Sequence, residues 1–166
     1  MNDSYVECMV ARKSSPFLGI LKYIIYILTG VSIIGVVAGY YIFLVTLIIF
    51  GLLAYFAVPG FELEFEYLYL DREISIDKIM SKQKRKRIRT LELGKMEYLC
   101  PINSHQLDQY KARNLKLSDY SSKDPDSKIW VMVYKDQNTE ELIGFEPNDE
   151  MLKAVKNIYP RKVIEY

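Results

Sequence analysis

The stretch YIIYILTGVSIIGVVAGYYIFLVTLIIFGLLAYFAV, Tyr23 to Val58, runs for 36 residues without Asp, Glu, Lys, Arg or His. An uncharged apolar run of about 18 residues is already long enough to indicate a membrane span. Elsewhere charge is plentiful, since charged residues make up 26% of the 166-residue chain. The run therefore separates a membrane segment from a charged region, residues 61–166, that is long enough to form one small domain.

The membrane segment is too long for one span. A single helix of this length would measure about 54 Å at 1.5 Å per residue, whereas the hydrocarbon core is about 30 Å thick. We therefore predict a transmembrane helical hairpin over residues 17–58, with spans at about Phe17 to Val37 and about Tyr41 to Ala57. The segment GVVAGYY, Gly35 to Tyr41, is expected to form the turn, because glycines permit a reversal and tyrosines favour the membrane interface.

The cations near the hairpin predict its orientation. Arg12, Lys13 and Lys22 flank the first span, whereas the predicted turn carries no charge. The positive-inside rule then predicts a two-span protein of the cell membrane with both termini in the cytoplasm, so that residues 1–16 form a cytoplasmic N-terminal segment. A secretory signal cleaved after Ala38 is the rival interpretation. It is disfavoured because the apolar region exceeds a usual signal core and a second apolar stretch follows at once.

Residues 61–166 show mostly the two-residue alternation of β-strands. In FELEFEYLYL, from Phe61, aromatic and aliphatic residues alternate with glutamates, which is typical of a strand with one buried face. Six further segments complete about seven predicted antiparallel strands: EISIDKI, RIRTLEL, KMEYLC, NLKLSDYSS, KIWVMVY and EELIGFE. The segment NSHQLDQYKAR is predicted to be a loop or a short helix.

A C-terminal amphipathic helix is predicted to follow the strands. Asn148 is a favourable N-cap after Pro147, and Pro160 ends the helix. Its apolar stripe at helical spacing comprises Met151, Leu152, Val155 and Ile158. The predicted fold class is thus an α+β membrane protein, with an N-terminal transmembrane hairpin and a mostly antiparallel β domain closed by a C-terminal helix.

This order of elements resembles the pleckstrin-homology-like (PH-like) fold. The whole chain resembles a family of small bacterial membrane proteins, without an assigned activity, in which a two-helix hairpin precedes a PH-like domain. The segments EYLYLDREISIDKI, KRKRIRTLEL and FEPNDEMLKAVK carry that resemblance. It implies a cytoplasmic domain over residues 61–166 in which two orthogonal sheets form a partly open barrel and the helix plugs one end.

The resemblance also predicts where an inositol phosphate would bind. Members of the fold that bind inositol phosphates use basic residues around the first hairpin. Here that hairpin reads FEYLYLDREIS, in which Arg72 is the only cation beside Glu66, Asp71 and Glu73. We therefore expect no specific phosphoinositide pocket, and at most a general attraction to anionic lipid.

A basic run, SKQKRKRIRTLEL from Ser81 to Leu93, is the candidate functional segment. Six cations lie within eight residues, in a chain whose formal net charge is only +1. On a strand, alternation would place the lysines on one face and the arginines on the other. The candidate lipid-contact residues are Lys82, Lys84, Arg85, Lys86, Arg87 and Arg89.

Three interpretations of the basic run remain open. It could form cross-strand ion pairs with acids of the same sheet (Glu62, Glu64, Glu66, Glu73 and Asp77), each worth about 0.2–1 kcal/mol. It could instead face the inner leaflet, where anionic headgroups attract each Lys or Arg by about 1 kcal/mol. Nucleic-acid binding is the least favoured, because residues 61–166 carry 19 basic and 19 acidic residues and so have no broad positive surface.

No catalytic pattern is recognisable in the sequence. His105 lies near Ser104 and Asp108, but adjacency in sequence does not create the geometry of a nucleophile and its base. No phosphate-binding loop or dinucleotide fingerprint is present, and the spacing of Cys8 and Cys100 matches no metal motif. We therefore predict no enzymatic activity, cofactor, metal or small-molecule substrate.

Two functional hypotheses follow. In the first, a non-catalytic integral membrane protein presents its cytoplasmic PH-like domain for protein docking or for contact with anionic lipid of the inner leaflet. In the second, the chain is a structural or accessory subunit that packs through its hairpin against a membrane-protein partner or against further copies of itself.

Overall fold

The computed structural model describes residues 5–82, 84–113, 115–137 and 139–165. Within them the chain forms two compact units. The hairpin unit comprises Lys13–Leu63 and Ile79–Arg85. The sheet unit comprises the N-terminal residues up to Arg12 together with Glu64–Lys78 and Lys86–Tyr166.

Two antiparallel helices form the bulk of the hairpin unit. Helix α1 spans Pro16–Val37 and helix α2 spans Ile42–Phe56, within two residues of the predicted spans. Gly39 lies in the turn with φ of +88°, a conformation that favours glycine. Gly35 has a different role, because it is buried within α1, where an added Cβ would overlap the ring of Phe43.

The two helices also share a polar contact. The hydroxyls of Ser32 and Thr46 lie 3.0 Å apart, and each also lies within hydrogen-bond distance of a carbonyl of its own helix, so one can donate to the other while its partner donates to a carbonyl. Both segments, Pro16–Val37 and Ile42–Gly60, are long and apolar enough to cross a membrane. In α1 only Ile25, Ser32 and Gly35 are buried, and none of the residues of α2 is buried. The hairpin unit therefore exposes most of its apolar surface.

The first sheet contains four strands in the order β1-β2-β3-β4. They span Val6–Ala11 (β1), Leu63–Leu70 (β2), Glu73–Met80 (β3) and Lys84–Glu92 (β4). Strand β1 pairs antiparallel with β2 and places Cys8 opposite Tyr67. Asp71 and Arg72 both have positive φ, as in the two-residue turns that favour β-hairpins.

The second sheet has the order β5-β7-β8-β6. Its strands span Met96–Pro101 (β5), Leu117–Asp119 (β6), Trp130–Asp136 (β7) and Thr139–Phe145 (β8). A short helix, α3 at Asp108–Ala112, lies between β5 and β6 in the chain. Strands β5 and β8 flank β7 in antiparallel pairs, whereas β6 pairs parallel with β8.

The core of the sheet unit joins the two sheets through aromatic side chains. The rings of Tyr67 and Phe145, both fully buried, meet edge to face with centroids 5.5 Å apart. The Tyr67 hydroxyl donates to the Tyr120 carbonyl over 2.6 Å, so its polar end is satisfied inside the core. Burial raises the pKa of Tyr67, which keeps this donor protonated.

The C-terminal helix forms as predicted. Helix α4 spans Asp149–Ile158, and the Asn148 side chain accepts a hydrogen bond of 2.8 Å from the Met151 amide. Met151 and Val155 are buried, as their place on the apolar stripe predicts. After the helix, Val163 forms a parallel bridge with Leu99 of β5.

Two features differ from the sequence-based prediction. The described residues form eight strands rather than about seven, because β1 lies in the N-terminal segment, for which no strand was predicted. Strand β6 is parallel rather than antiparallel. The two sheets form no closed barrel within the described residues, since β4 ends the first sheet and β5 ends the second, and the predicted barrel was itself partly open.

Candidate functional site

The structure divides the basic run between the two units. Lys82, Lys84 and Arg85 belong to the hairpin unit, together with the apolar helices. Lys86, Arg87 and Arg89 belong to the sheet unit. The six cations that the sequence places side by side therefore have two different structural environments, and each set is described separately.

The turn between β3 and β4 is bonded to the segment that leaves α2. The Ser81 amide donates to the Glu62 carbonyl over 2.9 Å, and the Ser81 hydroxyl donates to the Pro59 carbonyl over 3.3 Å. Ser81 and Lys82 both have positive φ, so the chain reverses tightly here. We refer to Ile79–Lys82, Lys84 and Arg85, together with Pro59–Glu62, as the base of the hairpin.

Lys84 contacts the last turn of α2. Its ammonium nitrogen lies 4.9 Å from the centroid of the Tyr55 ring, within the range of a cation–π interaction. Lys84 is exposed, and so is Tyr55 near the end of the apolar helix. A cation over an exposed tyrosine at the end of an apolar helix is the arrangement found at membrane–water interfaces.

An ion pair connects α1 to the segment that follows α2 at the base of the hairpin. The Lys22 ammonium of α1 donates to the Glu62 carboxylate over 2.6 Å. This hydrogen bond lowers the pKa of Glu62, and the nearby charge of Lys82 acts in the same direction. Because Glu62 is the only acid of the hairpin unit, it neutralises only part of the positive charge gathered there.

The distribution of charge between the units is uneven. The hairpin unit carries Lys13, Lys22, Lys82, Lys84 and Arg85 against Glu62, a formal charge of +4. The sheet unit carries seventeen Lys and Arg against twenty Asp and Glu, a formal charge of −3. The overall charge of +1 therefore conceals a positive unit and a negative one.

The arginines of the sheet unit are engaged by carboxylates. Arg87 Nε lies 3.0 Å from Asp77 Oδ1, and the Asp77 side chain is only 4% exposed. Arg89 forms two hydrogen bonds with Glu141 of β8, one of 2.7 Å from Nη1 to Oε2 and a second from Nη2 to Oε1. These bonds raise the pKa of Arg89 and connect β4 of the first sheet to β8 of the second.

The cross-strand ion pairs considered for the basic run are thus formed only in part. Asp77 is one of the five acids expected to pair with the basic run, and it does pair with Arg87. Glu141 was not expected, because it lies 52 residues from Arg89 in the sequence and in the other sheet. No local pattern connects these two positions, so the sequence alone gave no signal for the pair.

Comparison with known families agrees with this architecture. A family model described as a bacterial PH-like domain (DUF6106) matches residues 2–165, almost the whole chain. The chain belongs to this family of bacterial PH-like domains. No curated protein matches the chain, and no solved structure matches it. The resemblance seen in the sequence is therefore confirmed, and the family match includes the two apolar helices.

PH-like domains are in general non-catalytic modules, and the geometry around His105 offers no nucleophile. The His105 side chain is fully exposed, with Nδ1 3.3 Å from Asp108 Oδ2. The Ser104 hydroxyl oxygen accepts a bond of 3.4 Å from the Gln106 amide, so Ser104 caps a short helical turn. In the part of the chain that the structure describes, no three His, Cys, Asp or Glu side chains group as a metal site would require.

The two thiols have environments that suppress reactivity. Cys100 is fully buried and Cys8 is partly buried, and burial raises the pKa of both. A thiol with a raised pKa is mostly protonated at neutral pH and is a poor nucleophile. Cys100 is also too buried to react readily with an added thiol reagent.

Proposed function

We propose that this chain is a non-catalytic, membrane-anchored PH-like protein whose helical hairpin crosses the cell membrane twice and leaves both termini in the cytoplasm. In this proposal the base of the hairpin contacts anionic headgroups of the inner leaflet. The supporting observation is that the turn carrying Lys82 and Lys84 is hydrogen-bonded to the end of the membrane hairpin, within the same compact unit.

The energetics favour an orienting role over an anchoring one. The apolar helices would anchor the protein without help from the cations. Each Lys or Arg near an anionic surface contributes about 1 kcal/mol, so Lys82, Lys84 and Arg85 together contribute up to about 3 kcal/mol. Because the hairpin already holds these side chains near the headgroups, the contact forms at high effective concentration, and even a weak attraction to anionic lipid can orient the protein at the membrane surface.

Within the basic run, the proposal assigns lipid contact to the hairpin-unit cations. Arg87 and Arg89 already bind Asp77 and Glu141, and releasing either would leave a largely buried carboxylate without its partner. Lys86 is exposed in the sheet unit and is not required by the proposal. The hairpin-unit cations have better access to headgroups than Lys86, because they share a unit with the apolar helices.

The lipid contact is tested on the full-length protein in nanodiscs that contain phosphatidylcholine and a minority of phosphatidylglycerol. Spin-labelled lipid of each kind reports how much is immobilised by the protein. The wild type is expected to prefer phosphatidylglycerol, and added salt is expected to weaken that preference by shortening the Debye length. The double variant Lys82→Gln/Lys84→Gln is expected to lose most of the preference for phosphatidylglycerol.

The matched control removes two exposed lysines of the sheet unit, Lys128→Gln/Lys153→Gln, which changes the net charge equally. This control is expected to keep the preference of the wild type. Equal selectivity in all three proteins, or the same loss in the control, would refute contact at the base of the hairpin.

Topology is tested by labelling introduced cysteines in intact cells, in a Cys8→Ser background that retains the buried Cys100. Ala38→Cys lies in the exposed turn and avoids the strained position of Gly39; it is expected to react with a membrane-impermeant reagent. Asn157→Cys, exposed on α4, is expected to react only after lysis. Labelling of Asn157→Cys from outside would refute the two-span topology.

A second candidate function, an accessory subunit, is favoured by the surface of α2. None of its residues is fully buried, so the surface of α2 that does not contact α1 is available to lipid or to other membrane helices. In that case a stoichiometric membrane protein, or a second copy of this chain, would co-purify from native membranes. Its contacts would map to α2 by crosslinking, and not to Lys82 and Lys84.

A further inference from the structure

The sheet unit contains an apolar cavity of about 430 Å³ that plays no part in the proposed membrane contact. It lies against β7 and β8 of the second sheet and is bordered by residues that precede, form and follow α3. Six of its eight lining residues are aliphatic: Ile102, Leu107, Leu115, Leu117, Val131 and Leu142. The volume falls within the range of about 300–1,000 Å³ that is typical of ligand pockets.

One cation is held among these lining residues. Among the lining residues that the structure describes, Lys111 on α3 is the charged one and Asn103 is the other polar one. The Lys111 ammonium donates to the carbonyl of Ile102, itself a lining residue, over 3.1 Å. This bond fixes the charge beside the apolar wall and leaves further ammonium N–H donors for another acceptor.

The chemistry of the lining restricts the ligand. None of the eight lining residues is aromatic, so the cavity offers no stacking surface for a nucleobase. One lysine provides a single point charge, which suits one anionic group better than a polyphosphate. Leu117 is 45% exposed on the three-residue strand β6, so part of the apolar wall is open to solvent.

We propose that this cavity binds a single-chain aliphatic carboxylate, with the chain against the leucines and the carboxylate on Lys111. All the lining residues belong to the sheet unit. This proposal is therefore independent of whether the base of the hairpin contacts lipid. Charge complementarity selects the carboxylate, and the aliphatic wall selects the chain.

Octanoate is the probe, because it is soluble and partitions weakly into bilayers. Its binding to full-length protein in phosphatidylcholine nanodiscs is followed by saturation-transfer NMR, with empty nanodiscs subtracted. Saturable binding is expected for the wild type. Lys111→Met keeps the aliphatic stem and removes the charge, and is expected to weaken octanoate binding about two- to fivefold, as for a solvent-accessible ion pair. The neutral analogue 1-octanol is expected to bind Lys111→Met as well as it binds the wild type.

Two further variants make the test decisive. Lys116→Met removes an exposed lysine that does not line the cavity, and is expected to leave octanoate binding unchanged. Leu117→Trp fills the open side of the cavity from an exposed position and is expected to abolish binding of both probes. The proposal is overturned if octanoate shows no saturable binding, if Lys111→Met and Lys116→Met behave alike, or if Leu117→Trp still binds as the wild type does.

Discussion

The hairpin unit and the sheet unit differ in the exposure of their apolar side chains and in the sign of their net charge. The sheet unit buries most of its large apolar side chains, including Tyr67, Met132 and Phe145, and has a net negative charge. The hairpin unit exposes most of its apolar side chains and gathers a net positive charge with a single acid. Exposed apolar surface of this extent marks a site of contact with a membrane or with another protein. The difference teaches that the two units are built for different surroundings.

The treatment of polar groups shows the same difference. In the sheet unit, Glu146 Oε1 accepts bonds of 2.7 Å from the amide and the hydroxyl of Ser122 and one of 2.9 Å from the Ser127 hydroxyl. In the hairpin unit, the hydroxyls of Ser32 and Thr46 lie within hydrogen-bond distance of each other and of carbonyls of their own helices, so both can donate without water. These polar groups are satisfied in both units, by a half-buried carboxylate in the sheet unit and by hydroxyls and carbonyls in the hairpin unit.

The largest expected effect comes from removing a ring from the sheet core. Phe145→Ala should lower the free energy of unfolding by about 3–5 kcal/mol, because the fully buried ring leaves a cavity beside Tyr67. Urea unfolding of the protein in nanodiscs, followed by the fluorescence of the single tryptophan, Trp130 on β7, measures it. The matched change Phe56→Ala, 71% exposed at the end of α2, should shift this transition by less than about 0.5 kcal/mol. Equal shifts for both variants would remove the distinction between the units.

A smaller loss of stability is expected at the contact between Gly35 of α1 and Phe43 of α2. Gly35→Ala should destabilise the hairpin by about 1–3 kcal/mol, because the new Cβ would overlap Phe43 at the base of its ring. Gly30→Ala, in the same helix with open space around it, should be neutral or slightly stabilising. Detergent-induced unfolding of the helices compares the two. If both variants behave alike, Gly35 is not a packing contact.

Removing the ion pair between Arg89 and Glu141, which joins the two sheets, should lower the free energy of unfolding by a smaller amount. Arg89→Met leaves Glu141 without its bidentate partner and should cost about 1–2 kcal/mol, a value reduced from that of a fully buried pair because both side chains are partly exposed. Lys86→Met, three residues earlier on the same strand and exposed, should change the stability by less than about 0.5 kcal/mol. Both values come from urea unfolding monitored at Trp130. A loss in Lys86→Met as large as that in Arg89→Met would contradict this division of the basic run.

The smallest expected effect concerns Glu62, which is exposed. Its pKa lies below the ordinary value of 4.5 because Lys22 donates a hydrogen bond to it, so the pair stabilises the folded state above that value and is lost as pH falls through the lowered pKa. Carbon-13 NMR of labelled glutamate should show the depressed titration, and Lys22→Gln should return it towards 4.5. An unchanged titration in Lys22→Gln would show that the pair does not form.

The sequence predicted the elements whose signals are local. The uncharged run gave both helices within two residues of their ends, because hydropathy and length depend only on the residues themselves. Alternation predicted β2, β3, β7 and β8, and the Asn148 cap with its apolar stripe predicted α4. The basic run was also visible, since it is a property of composition.

Only the tertiary structure decided how these elements combine. Strand β1 precedes the hairpin but pairs with β2, which follows it, and β6 joins β8 in parallel; both pairings join segments that lie far apart in the chain. The same reason explains the candidate site: composition gave the six cations, but the fold assigned three to each unit, placed Lys84 on Tyr55 and joined Arg89 to Glu141. Propensity and periodicity act over a few residues, whereas the partner of a charge or of a strand edge is set by the packing of the whole chain.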